Sequence, residues 1–191
     1  MPLAELQNAL AQLYTREDAR ASFAADPAAF AERFGLGPSD RARLAAIGQT
    51  RLHAYADSLD RKRASEAARL LPLSARALSG AFRQAALRYA RRVPLADGRS
   101  RYCTDAIAFA RHVIRSNGAA IGAARCSLLA FEADSLAATS RVPGLRLAAY
   151  PYDPFELARA LARGDALEAC APARTAVAFA GPFRFRIPLS R

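Results

Sequence analysis

Apolar residues recur at three- and four-residue steps through the first half of the chain and at two-residue steps near its end. Leu3, Leu6, Leu10, Leu13 and Tyr14 form one stripe of an amphipathic helix. Thr15-Arg16-Glu17-Asp18 then offers an N-cap followed by acids, and Asp26-Pro27 repeats the device with proline at the first helical position. Gly35 fits a left-handed helix end, and Pro38-Ser39-Asp40 opens a short helix closing near Gly48. The longest helix is expected over Gln49–Leu71, with Leu52, Tyr55, Leu59, Leu70 and Leu71 inward. Pro72 ends it, and Ser74 is placed to cap one further helix carrying Leu78, Phe82 and Tyr89 to Arg92.

Residues 93–101 contain Pro94 and the turn dipeptide Asp97-Gly98 and read as a linker. Beyond it, Thr104 is an expected N-cap for a helix buried through Ile107, Ala110, Val113 and Ile114 and ended by Asn117-Gly118. A second helix is expected over Ile121–Thr139. After Pro143-Gly144 the period falls to two: Leu145, Leu147 and Ala149 alternate with Arg146, Ala148 and Tyr150, a half-buried strand. Pro154 starts a short helix that Gly164 ends. Phe183, Phe185, Ile187 and Leu189 alternate with Arg184, Arg186 and Pro188, pairing with Ala176–Ala180 across Gly181-Pro182; Pro188 puts its strand at a sheet edge. The expected fold class is α+β: an N-terminal all-helical domain over residues 1–92, then a small α+β domain over 102–191 with a short antiparallel sheet.

Composition changes this picture in two ways. Alanine accounts for 48 of the 191 residues, so the 52% hydrophobic content holds little large-side-chain volume. A net charge of +11 invites a nucleic-acid reading, but of the 28 basic residues only Lys62 is lysine, a bias that GC-rich coding also produces. Clusters at Arg61-Lys62-Arg63, Arg91-Arg92 and Arg99/Arg101 are short and interrupted by Asp57, Asp60 and Glu66. A DNA-binding regulator using the helical half is the alternative reading; solvated, self-paired helix faces explain such runs more simply. No charge-free apolar run is long enough for a membrane span, and the N-terminus lacks a signal-peptide pattern, so a cytoplasmic protein with no membrane partner is expected.

Catalytic chemistry is sparse. Cys103, Cys126 and Cys170 form no Cys-x-x-Cys pair, and Cys126 and Cys170 sit among small apolar residues as buried cysteines do. His53 and His112 have no nucleophile at a signature spacing, no metal-ligand pattern exists, and Gly35-Leu36-Gly37-Pro38 lacks the lysine of a phosphate loop. Glu132 and Asp134 are two apart on a helix and cannot share a face. A weak third option is an enzyme using Cys103 near Tyr102 and Asp105. Catalysis by this chain alone is not expected. The edge strand offers β-augmentation instead, with Arg184 and Arg186 suited to an acidic peptide; the same arginines also serve simply to keep an edge strand soluble.

The stretch Leu13-Tyr14-Thr15, Asp26-Pro27, Gly35-Leu36 and then Ser58-Leu59-x-x-Lys62-Arg63-x-x-Glu66-x-x-Arg69-Leu70-Leu71-Pro72-Leu73-Ser74 resembles a helical domain found beside multinuclear non-heme iron-dependent oxidative enzymes. The later block Leu129-x-Phe131-Glu132-Ala133 and Leu145-Arg146-Leu147-x-x-Tyr150-x-Tyr152-Asp153-x-Phe155-x-Leu157-x-x-Ala160-Leu161 is similar to the C-terminal half of their small partner subunits, such as those of the 3-thiaglutamate and methanobactin pathways. The resemblance implies a non-catalytic subunit that docks on a TIM-barrel iron oxidase and positions a ribosomally made precursor peptide. Iron is then expected in the partner enzyme and no cofactor in this chain. It implies peptide contact at the Leu145–Tyr152 and Phe183–Leu189 strands, with Arg146, Tyr150, Tyr152, Arg184 and Arg186, and a partner-facing motif of Lys62, Arg63, Glu66 and Arg69.

Overall fold

The computed structural model describes residues 3–140 and 144–189. Among them the chain forms α1 (Leu3–Thr15), α2 (Glu17–Ala25), α3 (Pro27–Arg33), α4 (Pro38–Ala45), α5 (Gln49–Leu70), α6 (Pro72–Leu78), α7 (Gly80–Arg92), α8 (Arg101–Ile121) and α9 (Ala123–Ser140). Strand β1 (Leu145–Tyr150), α10 (Pro154–Arg163), a 3₁₀ turn (Leu167–Ala169), β2 (Thr175–Ala180) and β3 (Phe183–Pro188) complete it. The fold is α+β, helices first and a small antiparallel sheet last. No helix among the described residues is long and apolar enough to cross a membrane.

Two compact units emerge, Met1–Arg63 with Leu87–Pro94, and Ala64–Ala86 with Leu95–Arg191. They part within α5 and α7 rather than at residues 93–101, because Leu52 packs in the first core whereas Phe82 stacks edge-on against Phe109, ring centroids 5.2 Å apart, in the second.

The first unit is built around Leu13, Phe23, Phe30, Leu36, Leu44 and Leu52, each nearly inaccessible. Asp26 starts α3 as its sequence requires: one carboxylate oxygen accepts from the backbone N–H groups of Ala28 and Ala29 at 3.0 Å, and Pro27 follows at a position whose N–H has no helical partner. Gly35 closes it at φ +63°. Thr15 does not cap α2; its hydroxyl donates back to the Ala11 carbonyl at 2.7 Å, and Arg16 takes the N-cap position without a side-chain bond. Tyr55 is half exposed rather than inward, lying against Tyr14 with centroids 4.3 Å apart.

In the second unit α8 and α9 pack along one another, with Ala106, Ala110, Ala124, Ala133 and Ala137 buried. The expected stop at Asn117-Gly118 does not occur: α8 runs to Ile121 and turns at Gly122, φ +85°. Gly118 is instead a point of close approach, where a Cβ would lie 3.4 Å from the Cys126 sulfur. Helix α8 begins at Arg101, ahead of the expected Thr104 cap, and the single helix expected over Ser74–Arg92 is two, broken at Ser79 with φ +48°.

The sheet has strand order β1-β2-β3, with Leu145 opposite Ala180, Tyr150 opposite Thr175, and Ala180 opposite Phe183 across the Gly181-Pro182 turn. Both outer strands were expected, but not the face they bury. Val177 and Phe179 of the central strand are fully inaccessible, packed with Tyr150 and Phe155 around Phe131 of α9. Register then decides the rest. Phe179 lies opposite Arg146 and Arg184, and alternate residues share a face, so those arginines go inward and the large apolar residues of β1 and β3 go out. Leu145, Leu147, Phe183, Phe185 and Ile187 are 42–73% exposed. The turn expected at Pro143-Gly144 lies partly outside the described residues.

Candidate functional site

The sheet and the helices beneath it bring together most of the residues expected to contact a peptide, in an arrangement the sequence did not disclose. Arg146 of β1 pairs with Asp134 of α9 at 2.6 Å, and the Tyr150 hydroxyl donates to the other oxygen of the same carboxylate at 2.9 Å. Burial, together with the Asp134 charge, pushes the Tyr150 hydroxyl well above its ordinary range, so it stays a proton donor. Arg184 of β3 donates to the Ser135 hydroxyl at 2.9 Å and to the Pro182 carbonyl at 2.8 Å. Arg186 pairs with Asp153, a buried carboxylate that also accepts from the Phe155 N–H at 2.9 Å as the N-cap of α10. Three arginines expected to await an acidic peptide thus tie β1 and β3 to α9 and α10.

Tyr152 stands apart from this set. With Asp153, Leu157, Ala160 and Cys170 it lines a cleft of about 630 Å³ between α10 and the loop that follows. Cys170 and Cys126 are partly exposed rather than buried as expected, and Cys103 is partly exposed as well. Burial still raises the Cys126 thiol above its usual value, the opposite of an activated cysteine. Among the described residues no group of three or more His, Cys, Asp or Glu side chains is placed to hold a metal ion.

The Lys-Arg-x-x-Glu-x-x-Arg motif divides into exposed and buried parts. Lys62 is exposed on α5. Arg63 is only 8% exposed: its guanidinium donates to the carbonyls of Ala90 and Val93 at 3.1 and 2.5 Å and lies 5.3 Å from the Tyr89 ring centre. It satisfies carbonyls at the C-terminus of α7, where a cation also suits the helix dipole, and so it is not available to a partner's surface. Farther along α5, Glu66 and Arg69 pair with each other at 2.8 Å. A further member of the basic clusters is paired too: Arg91 reaches Asp57 at 3.2 Å and Asp60 at 3.7 Å.

Sequence reading set Glu132 aside as half of a carboxylate pair and gave it no structural role. This buried carboxylate of α9 accepts from the Leu73 N–H, the Ser74 N–H and the Ser74 hydroxyl at 2.8, 2.8 and 2.6 Å. Helix α6 has Leu71 at its N-cap position with no side-chain bond and Pro72 next, which has no N–H, so Glu132 serves as its cap from 58 residues away. Ser74, expected to cap, is itself part of what is capped. Glu132 and Asp134 do point to different elements, α6 and β1, as their two-residue spacing demands.

Residues 45–115 are similar to the family described as SCO6045-like, C-terminal domain. That stretch holds α5, α6, α7 and most of α8, including the Arg63 tie and the Glu66–Arg69 pair, and leaves the sheet outside it. No curated protein matches the chain, and no solved structure does.

Proposed function

We propose that this chain is a non-catalytic partner subunit that docks on an iron-dependent TIM-barrel oxidase and positions its ribosomally made precursor peptide. The observation that carries the reading is the three-stranded sheet whose outer strands, β1 and β3, coincide with the segments the resemblance assigns to peptide contact. An extended peptide added to either outer strand gains main-chain hydrogen bonds without needing the arginine side chains, which already have partners. The ties to α9 and α10 hold the strands in place, so little ordering is left for the peptide's arrival. Oxidation belongs to the iron of the partner barrel; this chain supplies proximity, converting a dilute peptide encounter into an effectively intramolecular one.

DNA binding has less support. Arg63 is buried, and Arg91 is paired with two aspartates, so the clusters that suggested phosphate contacts hold fewer open cations than their sequence implies. The reading is tested by expressing the chain with an iron oxidase of the resembled group and a precursor peptide of that group. Co-purification of all three is expected, with peptide affinity reduced when Ile187 is changed to proline on the outer strand. A chain that binds neither protein nor peptide, but binds duplex DNA with steep salt dependence, supports the regulator instead.

A further inference from the structure

On the outward face of the sheet, register aligns three rows. Leu145 and Leu147 stand on β1, Ala176, Ala178 and Ala180 on β2, and Phe183, Phe185 and Ile187 on β3. No charged or polar side chain lies in these rows, and their outer members are 42–73% exposed. The middle row is alanine throughout, with Ala178 shaded to 7% exposure between Leu147 and Phe185. The face is therefore a trough with an alanine floor and tall apolar walls. Its walls are two strand spacings apart, about 10 Å, and six residues of strand run about 20 Å.

Those dimensions suit one occupant. An α-helix is about 10–12 Å across with its side chains, and about 13 residues of it span 20 Å. An alanine floor lets the helix axis come close while Leu and Phe walls flank its apolar stripe. A second copy of this chain fits badly. Two such faces stacked together set floor against floor, leaving the middle unfilled. Each copy also carries +11, so two copies repel. The same net charge of +11 favours a partner surface with acidic residues beside the apolar stripe.

We infer that this trough is the docking site for an amphipathic helix on the surface of the partner enzyme, its apolar stripe flanked by acids. The inference rests on the partner-subunit reading, in which a barrel enzyme presents an outer ring of helices. It gives the two surfaces of one small sheet different tasks: the face holds the enzyme, and an outer strand holds the peptide about 5 Å from the neighbouring row.

The test compares this chain with L147D, F185D and the double variant, measuring affinity for an iron oxidase of the resembled group and the oligomeric state by sedimentation. Both positions are exposed already, so the variants are expected to fold, which circular dichroism and unchanged melting establish. The expected result is a loss of at least about 30-fold in affinity for the double variant, the scale of removing an interface hot spot, with the R111E variant at an exposed position of α8 binding as wild type. Undiminished binding by the double variant overturns the inference and leaves the partner reading standing. Failure of the wild-type chain to bind the oxidase overturns both. A wild-type dimer at micromolar concentration that the double variant dissociates assigns the face to a second copy and also overturns the inference.

Discussion

Glu132→Ala removes a cap that belongs to another helix, and its cost can be worked out from the three bonds it makes. The substitution leaves the Leu73 and Ser74 N–H groups without an acceptor in a buried setting, while the Ser74 hydroxyl keeps the freedom to rotate. Each stranded donor costs about 1–3 kcal/mol, and relief of a desolvated carboxylate offsets part of the sum, so a loss of about 2–4 kcal/mol is expected. Glu132→Gln retains one acceptor oxygen but turns an amide N–H₂ toward the second donor, giving about 1–2 kcal/mol. Urea unfolding followed by circular dichroism reads both values as a lower midpoint at unchanged slope.

The pH dependence adds a second check. Burial raises the Glu132 carboxyl above its ordinary 4.5, with the hydrogen bonds from Ser74 and Leu73 pulling the other way. A raised folded-state value means this group's contribution is full below 4.5 and declines as the pH climbs through the folded-state value. The wild-type advantage over Glu132→Gln therefore shrinks from pH 4 toward neutrality. Glu132→Ala within about 0.5 kcal/mol of wild type, the range of an ordinary surface change, refutes the tertiary-cap argument.

Arg63→Ala should cost about 2–3 kcal/mol in chemical denaturation, because two carbonyls at the end of α7 lose a charged donor; Arg63→Lys, with no planar fork, should recover only part of it. Phe131→Ala empties the space among Tyr150, Phe155 and Phe179 and should cost about 3–5 kcal/mol, with the near-ultraviolet dichroism of the sheet's aromatics lost first. Tyr150→Phe deletes one bond to Asp134 and leaves the Arg146 pair, so about 1 kcal/mol is expected from melting curves. Gly164→Ala forces a side chain into φ +83° at the end of α10 and should destabilise by about 1 kcal/mol in the same assay.

Local chemistry was legible where partners are close in sequence. Asp26-Pro27, Gly35, Pro154 and Gly164 mark helix ends in the sequence, and each is found at such an end. The hairpin across Gly181-Pro182 was equally readable. What could not be read was set by distant partners. Gly118 looks like a helix stop until the Cys126 sulfur stands against it. Ser74 looks like a cap until Glu132 arrives from α9. The sheet's orientation misled for a related reason: the pattern of β1 and β3 alone sends Leu and Phe inward, while Val177 and Phe179 of the central strand claim the core and register carries the neighbours with them. Arg146, Arg184 and Arg186 were readable as important; their engagement with Asp134, Ser135 and Asp153 required the fold.

We propose that this chain serves another protein's chemistry by holding its peptide. The most direct test is reconstitution of an iron oxidase of the resembled group with a precursor peptide, with and without this chain, read by mass spectrometry of the peptide. The account predicts modification at limiting peptide only when the chain is present, and its loss with L147D/F185D. Equal modification with and without the chain contradicts it.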